Sequence, residues 1–183
     1  MRPAVFLDRD GTITEEVGYL NHEGRFQLLR GAAAAIRRLN EAQFPVIVVT
    51  NQSGVGRGYF PESLVHRVHE LMKSALAEAG AHVDAIYYCP HTSAERCDCR
   101  KPKTGMLERA AKEHRIVLAR SYVVGDRYGD VELAQRAGAC SILVRTGYGA
   151  GEYQWNAGKW AVPPDFVAAD LGDAVNWILR ARG

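Results

Sequence analysis

The chain lacks any run of 18 consecutive apolar residues, which is the length a membrane-spanning helix requires. Charge of one sign is also missing: 23 lysines and arginines stand against 21 aspartates and glutamates. With no basic stripe interleaved with aromatics, nothing calls for nucleic acid. The N-terminus opens straight into an apolar strand, without the charged and apolar regions of a signal peptide, so a cytoplasmic location is expected. Cysteine is scarce. The 4 present cannot form a disulfide scaffold in a chain this long, yet Cys89, Cys97 and Cys99 cluster, which points to metal. Cys140, in the apolar segment Ala139 to Val144, reads as a small core residue. There is no internal repeat, no low-complexity segment and no Walker A loop.

What is present suits one globular domain over residues 1–183, with 47% hydrophobic and 24% charged residues, expected to work as a monomer. Ala4 to Thr12 reads AVFLDRDGT. An apolar strand ends where Asp8 and Asp10 appear, followed by Gly11. The bare pattern also fits a simple turn. In an open α/β sheet, however, ligands sit beyond the carboxyl ends of the strands, which would put the two carboxylates on the floor of a site. Held about 4 Å apart at an effective dielectric near 20 they repel by about 4 kcal/mol, and a divalent cation would relieve this.

Thr14 to Arg25 is polar and reads as a loop. A helix from Gly31 then leads into a second buried strand, Phe44 to Thr50, giving a parallel βαβ unit. That strand delivers Asn51, Gln52, Ser53, Gly54, Val55, Gly56, Arg57 and Gly58. Such a loop is either a flexible glycine turn with a solvated arginine or an oxyanion site, with Thr50 and Ser53 hydroxyls near the phosphoryl oxygens and Arg57 further out. Pro61 opens an amphipathic helix whose stripe runs Leu64, Val65, Val68, Leu71, Met72, Ala75, Leu76 and Ala79 to Gly80. His66 and His69 fall off the stripe and are expected to face solvent.

A third strand, Val83 to Tyr88, delivers Cys89, His91, Cys97 and Cys99. Three thiolates and one imidazole complete the tetrahedral shell of a structural zinc with no open position. Arg100, Lys101, Pro102 and Lys103 follow at once, so Arg100 and Lys101 are expected to bind an anion rather than line a solvated face. Thr104 is positioned to cap a helix from Gly105 to His114, with Met106, Leu107 and Ala110 inward. The fourth strand, Ser121 to Gly125, ends at Asp126, with Asp130 at the head of the next helix. Asp8, Asp126, a backbone carbonyl and waters would make an octahedral oxygen site for magnesium. Ala139 to Val144 is a fifth strand, Gly147 to Pro164 a long loop packed down by Trp155 and Trp160, and Ala174 to Arg182 a closing helix. Strict alternation predicts an α/β fold, a doubly wound, mainly parallel sheet of Rossmann-like order.

Together D-x-D-G-T after strand one, T-N-Q-S after strand two, Lys-Pro after the third and G-D-x-x-x-D after the fourth resemble the four motifs of the haloacid dehalogenase superfamily of phosphatases. The resemblance implies that Asp8 is a nucleophile forming an aspartyl phosphate and Asp10 the general acid and then base. It implies that Thr50 and Asn51 bind the transferring group and Lys101 neutralises its charge. It also implies that Asp8, the Asp10 carbonyl and Asp126 hold Mg²⁺ with Asp130 in support. The zinc loop and Cys-Arg-Lys-Pro resemble a small subgroup whose members act on sugar bisphosphates or on a phosphorylated amino alcohol. Gly18-Tyr19, NQSGVGRGYF, Lys103 to Met106 and Val144 to Gly147 side with the sugar bisphosphate members, with Arg57 and Arg100 gripping the second phosphate. The five-residue spacer between His91 and Cys97 dissents. No insertion is long enough for a cap domain, so the partner implied is a small phosphorylated sugar met by short loops.

Overall fold

The computed structural model describes residues 1–181. Strands and helices alternate as β1 (Val5–Leu7), α1 (Ala32–Glu41), β2 (Val46–Asn51), α2 (Glu62–Glu78), β3 (Ala85–Cys89), α3 (Gly105–His114), β4 (Tyr122–Gly125), α4 (Tyr128–Ala137), β5 (Cys140–Val144), α5 (Gly149–Asn156), β6 (Phe166–Ala168) and α6 (Leu171–Ala181). The strands form one sheet in the order β3-β2-β1-β4-β5-β6. Every pairing is parallel, and Val5 lies between Val46 and Tyr122. β1 therefore sits at the topological switch point, flanked by strands whose helices run to opposite faces.

The side-chain period of two explains the core. Val5, Leu7, Val46 and Val48 face one way, onto Ile36 and Leu39 of α1 and Val175 and Ile178 of α6. Phe6, Ile47, Val49 and Val123 face the other, onto Leu107 and Ala110 of α3 and Leu133 and Ala134 of α4. A third cluster joins Leu64, Val65 and Val68 of α2 to Leu20 and Phe60 and fixes the segment after β1. Among the described residues there is no large cap domain, and no helix is long and apolar enough to cross a membrane.

Several local expectations are corrected. The 147–164 stretch is not a loop: it carries α5 and a 3-10 turn, Ala157–Lys159. The sequence of α5, with two glycines and little amphipathicity, gives no helical signal, and the helix rests on contact instead. Gly149 lies so close to the Val144 carbonyl that a Cβ would stand 1.7 Å from the oxygen. Trp160 does pack the segment down, stacking on Tyr128 at 4.8 Å, whereas Trp155 is exposed. The three-residue β6 is too short to show alternation, and the last helix begins three residues early; Arg182 lies outside the described residues.

Thr104 does not cap α3. Its backbone is already helical and its hydroxyl donates to Glu108 Oε1 at 2.6 Å. In α2, Leu71 is exposed, and His69 is buried at 5% exposure while His66 stays outside. The polar face of α2 is covered at that turn by the Arg9 side chain, which no periodicity of α2 alone reveals.

Candidate active site

The cleft opens beyond the carboxyl ends of β1, β2 and β4, with a volume of about 500 Å³. Asp8 is the first residue after β1, and its backbone N–H still donates to Val124 of β4 at 2.9 Å. Its Oδ1 accepts from the Arg9 backbone N–H at 2.7 Å and from Lys101 Nζ at 2.9 Å. Lys101 also donates to Asp130 Oδ1 at 2.7 Å and to the Val49 carbonyl at 3.1 Å. Its backbone is clasped by Asn51, whose Oδ1 accepts from Lys101 N at 3.1 Å and whose Nδ2 donates to Lys101 O at 3.3 Å. The end of β2 thus registers the lysine against the end of β1.

Asp8, Asp126 and Asp130 are buried, and one oxygen of each lies within 4.8 Å of the others. Asp126 Oδ2 accepts from Tyr148 N at 2.8 Å, while Asp126 Oδ1 is buried without a hydrogen-bond partner. An orphaned buried carboxylate oxygen is costly unless something else meets it. Burial raises the Asp126 carboxyl to about 8, helped by the Asp8 and Asp130 charges. Burial also raises Asp8 to about 7 against the pull of Lys101, with Asp130 and Asp10 adding to the rise. Burial opposes the charge on Lys101, but Asp130 and Asp8 hold its ammonium well above its ordinary range. Three carboxylates against one ammonium leave an excess of negative charge facing an unpartnered oxygen, which is the donor set a hard divalent cation takes. These residues fit such an ion.

Asp10 is held apart from that trio. Its Oδ1 accepts from Arg9 Nε at 3.1 Å and Nη2 at 3.0 Å, and its Oδ2 from Arg9 Nη2 at 2.9 Å and Gln52 Nε2 at 2.9 Å. Gln52 also donates to the buried Thr50 hydroxyl at 2.9 Å. Asp10, Thr50, Asn51, Ser53, Arg57, Arg100 and Lys101 all line the one cleft, together with Glu16, Tyr19, Arg127, Tyr148 and Glu152. Arg127 lies over the Tyr148 ring at 3.8 Å.

The three thiolates and the imidazole also converge. Cys89 Sγ is 3.8 Å from Cys97 Sγ and 3.5 Å from His91 Nδ1, which is 3.3 Å from Cys99 Sγ. A tetrahedron with metal–sulfur bonds of about 2.3 Å and a metal–nitrogen bond of about 2.05 Å has edges of about 3.8 and about 3.6 Å. The donor set and its spacing fit zinc. The loop is tied to the cleft: Arg100 Nη1 donates to the His91 carbonyl at 3.1 Å, and Gly56 N donates to the Pro90 carbonyl at 2.9 Å.

Of the residues singled out from sequence as a site, Asp8, Asp10, Thr50, Asn51, Ser53, Arg57, Arg100, Lys101 and Asp130 line this cleft, Asp126 is buried beside Asp8 and Asp130, and Cys89, His91, Cys97 and Cys99 form the adjoining cluster. Sequence reasoning missed the grip of Arg9 and Gln52 on Asp10, and the wall formed by Glu16, Arg127, Tyr148 and Glu152. Arg9 carried a usable signal, since a cation between two carboxylates at the end of a buried strand has few other partners. The wall comes from three separate segments of the chain, one of them running into α5, and had none.

A family model described as HAD-hydrolase-like matches residues 98–174. The chain is 44% identical to the D-glycero-D-manno-heptose-1,7-bisphosphate 7-phosphatase of Thermosynechococcus vestitus, across 97% of this chain and 95% of that protein. It is 41% identical to the D-glycero-beta-D-manno-heptose-1,7-bisphosphate 7-phosphatase of Escherichia coli K12, across 94% and 93% of the two chains. A crystal structure of the D,D-heptose 1,7-bisphosphate phosphatase from B. bronchiseptica, complexed with magnesium and phosphate, superposes with a TM-score of 0.90 at 34% identity, covering 99% of each chain.

Proposed function

This chain belongs to the haloacid dehalogenase family of phosphatases, and on that premise we propose that it removes the C7 phosphate of D-glycero-D-manno-heptose 1,7-bisphosphate. The product would serve the assembly of nucleotide-activated heptose for lipopolysaccharide or a related glycan. The observation that carries the reading is one cleft holding the buried Asp8–Lys101 pair together with guanidinium groups, among them those of Arg57 and Arg100. One phosphate would meet Asp8 and Lys101; the other would meet the arginines. The relatives described above point the same way.

In this mechanism an Asp8 oxygen attacks the C7 phosphorus. The bond from phosphorus to the C7 oxygen breaks, and Asp10 gives its proton to that oxygen. Thr50, Asn51 and Lys101 hold the transferring group, and the Lys101 charge offsets what builds up on it. Asp10, now ionised, takes a proton from water as the water oxygen attacks phosphorus, which frees phosphate and restores Asp8. Asp8, the Asp10 carbonyl and Asp126, with Asp130 beside them, would hold Mg²⁺, which supplies charge neutralisation for the nucleophile and the phosphoryl oxygens. Cys89, His91, Cys97 and Cys99 would hold a structural Zn²⁺. Asp8→Asn is expected to remove nearly all turnover while the protein stays folded; retained turnover would eliminate Asp8 as nucleophile.

The second reading is a histidinol-phosphate phosphatase, favoured by the short spacer between His91 and Cys97. Phosphate release from both heptose bisphosphate anomers and from histidinol phosphate separates the two. A higher kcat/KM for histidinol phosphate would reverse the assignment.

A further inference from the structure

Arg9 is among the most deeply buried side chains of the molecule, 1% exposed. A buried guanidinium needs its N–H groups met. Nε and Nη2 are spent on Asp10, and Nη1 lies 3.3 Å from Nε2 of His69 on α2. A guanidinium only donates, so His69 Nε2 must be the acceptor, which places the ring proton on Nδ1. The imidazole is suited to this: burial, and then the Arg9 charge, lower its value to about 3, so it stays neutral. The ring is also held from the side, lying 5.6 Å from the Tyr88 ring at an interplanar angle of 63°.

We infer that His69 is a positioning residue for the proton transfer at Asp10, acting through Arg9. It fixes the one guanidinium edge that Asp10 does not occupy, and so fixes the plane of the guanidinium that orients the Asp10 carboxylate. Without the acceptor, Nη1 is left unpaired in a buried place and the guanidinium rotates to seek another partner, taking Asp10 with it. The inference rests on Asp10 being the proton carrier proposed above.

The test compares leaving groups in single turnover, where only departure of the leaving group counts. The C7 alkoxide of the heptose bisphosphate needs a proton to leave, whereas the nitrophenolate of p-nitrophenyl phosphate does not. His69→Leu keeps the volume and removes the acceptor; His69→Gln puts Oε1 where Nε2 stood. With the sugar substrate, His69→Leu is expected to slow the first turnover about tenfold, a fraction of the 10²–10⁴ that a general acid contributes. Half-saturation should stay within about twofold. With p-nitrophenyl phosphate the rate should stay near wild type, and His69→Gln should recover the sugar reaction to within about threefold.

Equal losses on the two substrates, or no recovery with Gln, would mark a merely structural histidine and overturn the inference. Asp10→Asn runs alongside. If it shows the leaving-group dependence and His69→Leu does not, only the inference falls; if Asp10→Asn loses both substrates equally, the reading of Asp10 falls with it. Should the Leu variant not fold, His69→Met, which also removes the nitrogen acceptor, takes its place in the two-substrate comparison with the same outcomes. In ¹⁵N shifts of the wild-type imidazole, the opposite tautomer, protonated Nε2 with bare Nδ1, would by itself overturn the inference.

Discussion

A methyl group added at position 11 would stand 2.1 Å from Asp126 Oδ2, on a residue whose φ is +78°. Gly11 is therefore more than a turn residue after the carboxylates. Together with Gly147, whose added Cβ would meet the same oxygen at 2.2 Å, it closes the backbone around Asp126 from two loops. Neither the close approach nor the positive φ tolerates a side chain. Gly11→Ala is expected to cost about 1–3 kcal/mol of stability and, because Asp126 must shift, to weaken Mg²⁺ binding at least about tenfold. Denaturant unfolding and calorimetric titration read the two effects separately. At this scale the sequence was informative about which groups matter and silent about which groups hold them. Asp8, Asp10 and Asp126 stand out because each follows an apolar strand at the edge where an open α/β sheet keeps its ligands. Gln52, fixing Asp10 across 42 positions, looks like any other polar loop residue.

The cysteine cluster and α5 show what makes an element legible. Cys89, His91, Cys97 and Cys99 lie close together in the chain, so the cluster is local and is read from spacing alone. The helix α5 exists because Gly149 can approach the end of β5 and Trp160 can stack on Tyr128, contacts between distant segments that leave no periodicity. His69 in α2 follows the same rule, since its burial comes from Arg9 of another element. With the zinc proposed above, the cluster carries a functional consequence too. Arg100 donates to the His91 carbonyl, the Lys103 ammonium to the Cys97 carbonyl, and Gly56 to the Pro90 carbonyl. Loss of the ion would release these contacts on the arginine-bearing wall while leaving Asp8, Asp126 and Asp130 in place. Chelation of zinc, or Cys97→Ser, is expected to lower kcat/KM for the bisphosphate about tenfold, chiefly through KM. Readdition of Zn²⁺, and not of Mg²⁺, should restore the chelated wild type; a fall confined to kcat would contradict the coupling.

For the molecule as a whole, alternating strands and helices announce a parallel sheet, because parallel neighbours need a crossover between them. The order of the strands is less legible. The sequence says that carboxylates follow strands one and four; only the pairing of β1 with both β2 and β4 brings Asp8, Thr50 and Asp126 to one place. That convergence has a thermodynamic signature. In the absence of Mg²⁺, Asp8 and Asp126 titrate near 7 and 8 in the folded chain, raised from 3.8. A carboxyl whose folded value is raised binds protons more tightly in the native state, so its contribution to stability is lost as pH rises through the folded value. His69, lowered to about 3 from 6.5, works in the opposite sense but only below 6.5. Lys101, raised from 10.5, contributes fully below 10.5 and loses its contribution only above it. Cys97 works the other way within the interval: against burial, the Arg100 N–H and the neighbouring thiols bring it down from 9 to about 7. The carboxylate effect is therefore read as a difference between wild type and Asp126→Asn, in which Cys97 cancels. Without Mg²⁺, the melting temperature of wild type relative to Asp126→Asn should fall from pH 6.5 to pH 8, and Mg²⁺ should raise that of wild type more at pH 8 than at pH 6.5. A difference that rises across the interval would mean that the three carboxylates do not share one buried site.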